Sequence, residues 1–215
     1  MWFEVEAVLF DIDGTLVDST AAVERTWRTW AERYCIGVSE ILRVCHGRRT
    51  EDTVAMFLPD GQHAAAVAEL ERLELDDLAD IIALPGTKSL LPLLAPDRWA
   101  AVTSGSRALM VARLAAAGLP VPAVLVAAED VAQGKPDPEG YLRAATGLGK
   151  DIRNCLVVED APAGVEAGQA SGAHVLAVAT SHKASKLGLA DVIVPDLTAC
   201  KVEHTADGLL VAAVP

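Results

Sequence analysis

Hydrophobic spacing changes character twice along the chain. A short apolar run, Val8-Leu9-Phe10, stops at Asp11-Ile12-Asp13-Gly14-Thr15, which reads as a buried strand dropping into a turn. From Ser19 the spacing becomes helical, with Val23, Trp27 and Trp30 at i, i+4 and i+7 and with Ser19 or Thr20 able to cap. Thr50 to Leu58 repeats that pattern, with Thr50 as cap, Val54, Phe57 and Leu58 on one face and Pro59 as the stop. Ala64 to Leu84 reads as a third helical stretch, ended by Pro85-Gly86. Residues from about 16 to 84 therefore read as nearly all helix, with no strand.

Beyond Gly86 short apolar runs alternate with helical stretches. Trp99 to Ser104, Val124 to Val126, Cys155 to Val158, His174 to Val178 and Asp191 to Val194 read as strands. Arg107 to Gly118, Tyr141 to Gly147 and Ala163 to Ser171 read as helices between them. Such alternation predicts an α/β fold: a Rossmann-like, doubly wound parallel sheet with helices on both faces. The tail, Lys201 to Val214, holds Asp207-Gly208 between apolar stretches and reads as a closing hairpin.

Composition narrows the partners. At 215 residues and 52% hydrophobic, the chain has enough material for one large core plus a small added domain. A net charge of -12 speaks against nucleic acid or an anionic membrane as partner, since both call for a basic face. It also means that an anionic ligand needs a local positive pocket or a metal. Cys35, Cys45, Cys155 and Cys200 form no Cys-x-x-Cys pair, and acids stand near the N-terminus where a signal peptide carries bases. No apolar run approaches the ~18 residues of a membrane span. The expectation is a cytoplasmic, reduced protein.

The chemistry begins at Asp11 and Asp13. Side chains on a strand alternate, so the two carboxylates start on one side of the chain, at the sheet edge where α/β folds hold ligands. Crowded carboxylates need a cation, a proton or a strong donor. A divalent ion on Asp11 would leave it an ionised nucleophile, and Asp13 could then hold or release a proton. An EF-hand loop is excluded: Thr15 and Leu16 stand in place of the next ligand and glycine, and Ala22 in place of the closing glutamate. Three later strand ends add polar groups. Thr103-Ser104-Gly105-Ser106 offers hydroxyls and backbone N–H groups suited to phosphate, although such a turn can also simply cap a helix. Gly134-Lys135-Pro136-Asp137-Pro138 holds a lysine in a proline-stiffened loop. Glu159-Asp160 could cap the following helix or complete an oxygen set suited to magnesium.

The order of these motifs, each after a strand, resembles the haloacid dehalogenase-like hydrolase superfamily over essentially the whole chain. The resemblance implies a core of residues 1–15 and 85–215 with an inserted helical cap, the C1 type, at 16–84. It implies that Asp11 is the nucleophile forming an aspartyl-phosphate and that Asp13 is the general acid/base. Magnesium would be held by the Asp11 carboxylate, the Asp13 carbonyl and Asp160, with Glu159 supporting through water. Ser104, the Gly105 N–H and Lys135 would hold the phosphoryl group. A dehalogenase has no need of a second acid or a metal, so Asp13, Lys135 and Asp160 together favour phosphoryl transfer.

Val23 to Trp30, His46-Gly47-Arg48-Arg49-Thr50, Leu84-Pro85-Gly86 and Glu159 to Gly168 are similar to bacterial hexitol and sugar phosphatases and to yeast 2-deoxyglucose-6-phosphate and glycerol phosphatases. By that likeness the loop of His46, Gly47, Arg48 and Arg49 selects the substrate, a small sugar or polyol phosphate. A monomer or weak homodimer is the expected working state. Two rivals remain. A sugar-phosphate mutase related to β-phosphoglucomutase would carry histidine where Val23 stands, and a non-catalytic binding or regulatory protein on the same fold would be expected to have lost one of the core residues.

Overall fold

A computed structural model describes residues 1–206 and 208–214. The strands β1 (Trp2–Val5) and β2 (Ala7–Phe10) open the chain, and β3 (Val17–Asp18) leads into four helices. These are α1 (Thr20–Tyr34), α2 (Val38–Leu42), α3 (Thr50–Ala55) and α4 (Asp60–Asp76), followed by β4 (Ile82–Ala83). After α5 (Thr87–Leu90) come β5 (Trp99–Val102), α6 (Arg107–Ala116), β6 (Leu125–Val126), α7 (Glu139–Leu148) and β7 (Cys155–Glu159). The chain ends with α8 (Pro162–Ser171), β8 (His174–Val178), β9 (Val192–Val194), β10 (Cys200–His204) and β11 (Leu209–Ala213).

Six strands form one parallel sheet in the order β6-β5-β2-β7-β8-β9. Its central strands β2, β5 and β7 are buried at every position, which is why they read as continuous apolar runs rather than alternating ones. Alternation still sorts their side chains. Val8, Phe10, Leu156 and Val158 face one core with Leu109, Met110 and Leu114 of α6, while Ala7, Leu9 and Val157 face the other with Tyr141 of α7 and Val165 of α8. The sheet is thus doubly wound, as the alternation of strands and helices predicts.

Four helices of residues 20–76 pack around a separate cluster of Trp27, Trp30, Ile41, Val54, Ala66 and Leu70. Trp30 is fully buried and donates its ring N–H to the Ala66 carbonyl at 2.9 Å. This segment differs from the sequence expectation in three ways. The third helix runs over Asp60–Asp76 instead of 64–84, and β3 and β4 pair as a two-residue antiparallel ribbon in a stretch expected to lack strands. Neither Ser19 nor Thr50 caps a helix with its side chain; Asp18 accepts the Thr20 N–H at 3.0 Å instead.

The tail hairpin forms, with β10 and β11 antiparallel, and β11 also pairs with β1, a strand the apolar pattern did not signal. Asp207 of the expected turn lies outside the described residues. Among the described residues no helix is long and apolar enough to cross a membrane.

Candidate active site

Parallel strands all point one way, so the segments leaving β2, β5, β7 and β8 converge at one edge of the sheet. Asp11 follows β2 and Asp160 follows β7, the neighbouring strand; both are buried. Lys135 arrives from the loop between β6 and α7. Its Nζ donates to Asp11 Oδ1 and to Glu159 Oε1, both at 2.6 Å, and to the Val102 carbonyl at 3.2 Å. The lysine is therefore a fixed internal charge rather than a surface one.

Glu159 is fully committed within the protein. Its Oε1 also accepts the Tyr141 hydroxyl at 2.8 Å, and its Oε2 accepts the backbone N–H groups of Asp160 and Ala161 at 3.0 and 3.2 Å. Gly164 in the first turn of α8 makes room for it, because a Cβ there would run into the Glu159 carboxylate. Asp160 accepts from Thr15 Oγ1 at 3.3 Å and from Ser181 Oγ.

Ligand oxygens of Asp11, Glu159 and Asp160 lie within 4.8 Å of one another, all three residues buried. One lysine serves three acids, so the cluster keeps excess negative charge. Burial, with the neighbouring carboxylates, pushes Asp11 well above the usual carboxylate range and Asp160 up to about 7. Burial alone would lower Lys135, but Asp11 and Glu159 outweigh it and hold the ammonium charged. This donor set fits a hard divalent cation on oxygen ligands, with Asp11 and Asp160 the side chains that have capacity left.

A cavity of about 90 Å³ opens on this edge, walled by the sheet on one side and the helices of 20–76 on the other. Asp11, Asp13, Ser104, Gly105 and Asp160 line it from the sheet; Val23, Trp27, His46, Gly47, Arg48 and Glu74 line it from the helical side. Ser104 Oγ donates to the Gly47 carbonyl at 2.9 Å, joining the two walls, and the Gly105 N–H donates to Thr103 Oγ1 at 3.0 Å. The His46 ring meets the His182 ring edge-on at 6.2 Å, and burial, with His182 beside it, lowers its pKa.

Arg49 does not line this cavity. It forks onto Asp52 at 2.8 and 2.9 Å and reaches the Val131 and Ala132 carbonyls at 3.5 Å, on the loop that carries Lys135. The Asp13 carboxylate lies outside the acid cluster and accepts from Arg113 Nη1 at 2.7 Å. Arg113 and its second partner, Glu74, were not anticipated. The signal was present as a charged residue on an apolar helix face: Arg113 among Leu109, Met110 and Leu114, and Glu74 in register with Ala66 and Leu70.

A family model for haloacid dehalogenase-like hydrolases matches residues 5–172. The chain is 43% identical to hexitol phosphatase A of Escherichia coli over 93% of its own length and 95% of that protein. It is 33% identical to 2-deoxyglucose-6-phosphate phosphatase 2 of Saccharomyces cerevisiae, over 97% of this chain and 95% of that one. Its fold superposes on a hydrolase from Pseudomonas syringae with a TM-score of 0.81 at 25% identity, covering 89% of this chain and 94% of the other.

Proposed function

This chain belongs to the haloacid dehalogenase-like hydrolase family, and from that premise we propose that it is a phosphatase of small sugar or polyol phosphates that works through an aspartyl-phosphate. It is a phosphoric monoester hydrolase, as its relatives are. The observation that carries the mechanism is Asp11: a buried carboxylate at the end of the central strand, held by Lys135 at 2.6 Å, in the wall of a cavity shared with a helical segment.

In the proposed reaction an Asp11 oxygen forms a bond to phosphorus as the bond from phosphorus to the sugar oxygen breaks. That leaving oxygen takes the departing electron pair and a proton from Asp13. Water then attacks the aspartyl-phosphate, giving a proton to the Asp13 carboxylate, and inorganic phosphate and free Asp11 are restored. Ser104, the Gly105 N–H and Lys135 would orient the phosphoryl oxygens by exchanging the internal partners they hold without substrate. Magnesium, held by Asp11, Asp160 and the Asp13 carbonyl, would offset the negative charge of the phosphoryl group and of the acids around it.

The helical segment 16–84 acts as a cap over the core of residues 1–15 and 85–215. It excludes bulk water and large substrates and presents His46 and Arg48 to the hydroxyls of a small ester. The apolar Val23 in that wall carries no proton, which favours hydrolysis over a mutase reaction. The test is release of phosphate from a panel of hexitol, hexose, deoxyhexose, pentose and glycerol phosphates, with Asp11→Asn beside the wild type. The variant should fold yet lose nearly all turnover on every substrate, because an amide cannot form the acyl-phosphate. Substantial turnover by Asp11→Asn would sink the mechanism.

A further inference from the structure

Asp13 is not free in its pocket. Arg113 Nη1 donates to Asp13 Oδ2 at 2.7 Å, while Nη2 of the same guanidinium donates to Glu74 Oε1 at 3.0 Å. The arginine comes from α6, on the face that packs into the core, and its side chain is 4% exposed. Glu74 comes from α4 on the helical side, and its side chain is 8% exposed. A carboxylate–arginine–carboxylate bridge thus runs between the two walls of the cavity, and both Asp13 and Glu74 line that cavity.

A buried ion pair is a poor source of stability, because desolvating the charges offsets most of their attraction. Geometry offers a better reason for this one. The guanidinium is a rigid planar fork, so two bonds from its two ends fix its plane and the carboxylate oxygens it meets. Asp13 Oδ2 is thereby occupied, whereas Asp13 Oδ1 is buried with no hydrogen-bond partner. One oxygen is pinned, and the other keeps its hydrogen-bonding capacity unused.

We infer that Arg113 is a positioning residue, anchored by Glu74, that orients Asp13 so that Oδ1 delivers the proton to the leaving oxygen. The inference rests on the phosphatase reading above. Transfer of that proton accompanies breaking of the phosphorus–oxygen bond, so misalignment of the acid should slow departure of a basic alkoxide. It should matter little for p-nitrophenolate, which leaves without a proton.

The experiment compares wild type and Arg113→Lys on a polyol phosphate and on p-nitrophenyl phosphate, with magnesium saturating. Lysine keeps the charge but, as a point charge, cannot address both carboxylates in a fixed plane. For the polyol phosphate kcat should fall about 10- to 100-fold at nearly constant KM, whereas p-nitrophenyl phosphate should lose about threefold or less. Arg113→Gln, if it folds by circular dichroism, should show the same split more strongly; if it does not fold, the lysine variant decides alone. Equal losses on both substrates, or no loss on either, would overturn the role of Arg113 while leaving the phosphatase reading intact. A wild type that hydrolyses neither ester would overturn that reading, and the inference with it.

Discussion

At the scale of single residues, Gly14 shows how tightly the site is built. Its φ of +87° lies in the left-handed region, and a Cβ there would fall inside the Asp160 carboxylate, so only glycine lets the β2 turn pass beneath the acid cluster. The loop of His46 to Arg49 divides in two. Arg48 lines the cavity, whereas Arg49 ties α3 to the loop carrying Lys135. Arg48→Ala should therefore lower kcat/KM for the preferred polyol phosphate about tenfold, the cost of one charge-assisted contact, and touch p-nitrophenyl phosphate much less. Arg49→Ala should weaken both substrates alike, because it loosens a loop common to all of them; the ratio of the two losses is the measurement. Sequence alone groups the two arginines, since neighbours in a loop have no periodicity to separate them. The convergence of Asp11, Glu159 and Asp160 was legible because each stands at the end of an apolar strand, and parallel strands bring such ends to one edge. Arg113 and Glu74 were not, because a helix reading assigns charged residues to the solvent side by default, and only tertiary packing shows that these two meet.

Elements differ in legibility for a related reason. The strands β2, β5 and β7 carry their own signal, a buried apolar run bounded by turn residues. The strand β1 alternates exposed and buried positions, and its partner β11 lies at the far end of the chain, so nothing local announces the pairing. The β3–β4 ribbon has two residues per strand and is held by position rather than propensity, closing the base of the helical segment where Val17 faces Ala83. That segment has its own core around Trp30, which meets Trp27 edge-on and Tyr34 at a tilt, with centroids at 5.3 and 4.5 Å. Trp30→Ala should cost about 3–5 kcal/mol in that core. If residues 16–84 form a unit of their own, hydrogen exchange should quicken across α1 to α4 while the amides of β2, β5 and β7 keep their protection. Equal loss in the sheet would mean that the helices and the sheet unfold together, against the division into cap and core proposed here.

For the molecule as a whole, a net charge of -12 sets the terms on which an anionic ester is admitted. Three acids crowd one sheet edge around a single lysine, and that edge is where the proposed reaction seats the phosphoryl group. A divalent cation there resolves both repulsions, acid against acid and acid against substrate, which one internal ammonium already committed to Asp11 and Glu159 does not. Chelation should accordingly abolish turnover, and magnesium should restore it. Calcium should not, since its larger and more flexible shell accepts bidentate binding of the carboxylate that must stay free to attack. Binding should also be visible without any substrate. Magnesium at 100 times its dissociation constant should stabilise the fold by about 2.7 kcal/mol, read as a rise in Tm, and Asp160→Asn should erase most of that rise. The two readouts are independent. A Tm that ignores magnesium, or full activity after exhaustive chelation, would show that Lys135 alone balances the site and that the acids at its edge serve the fold.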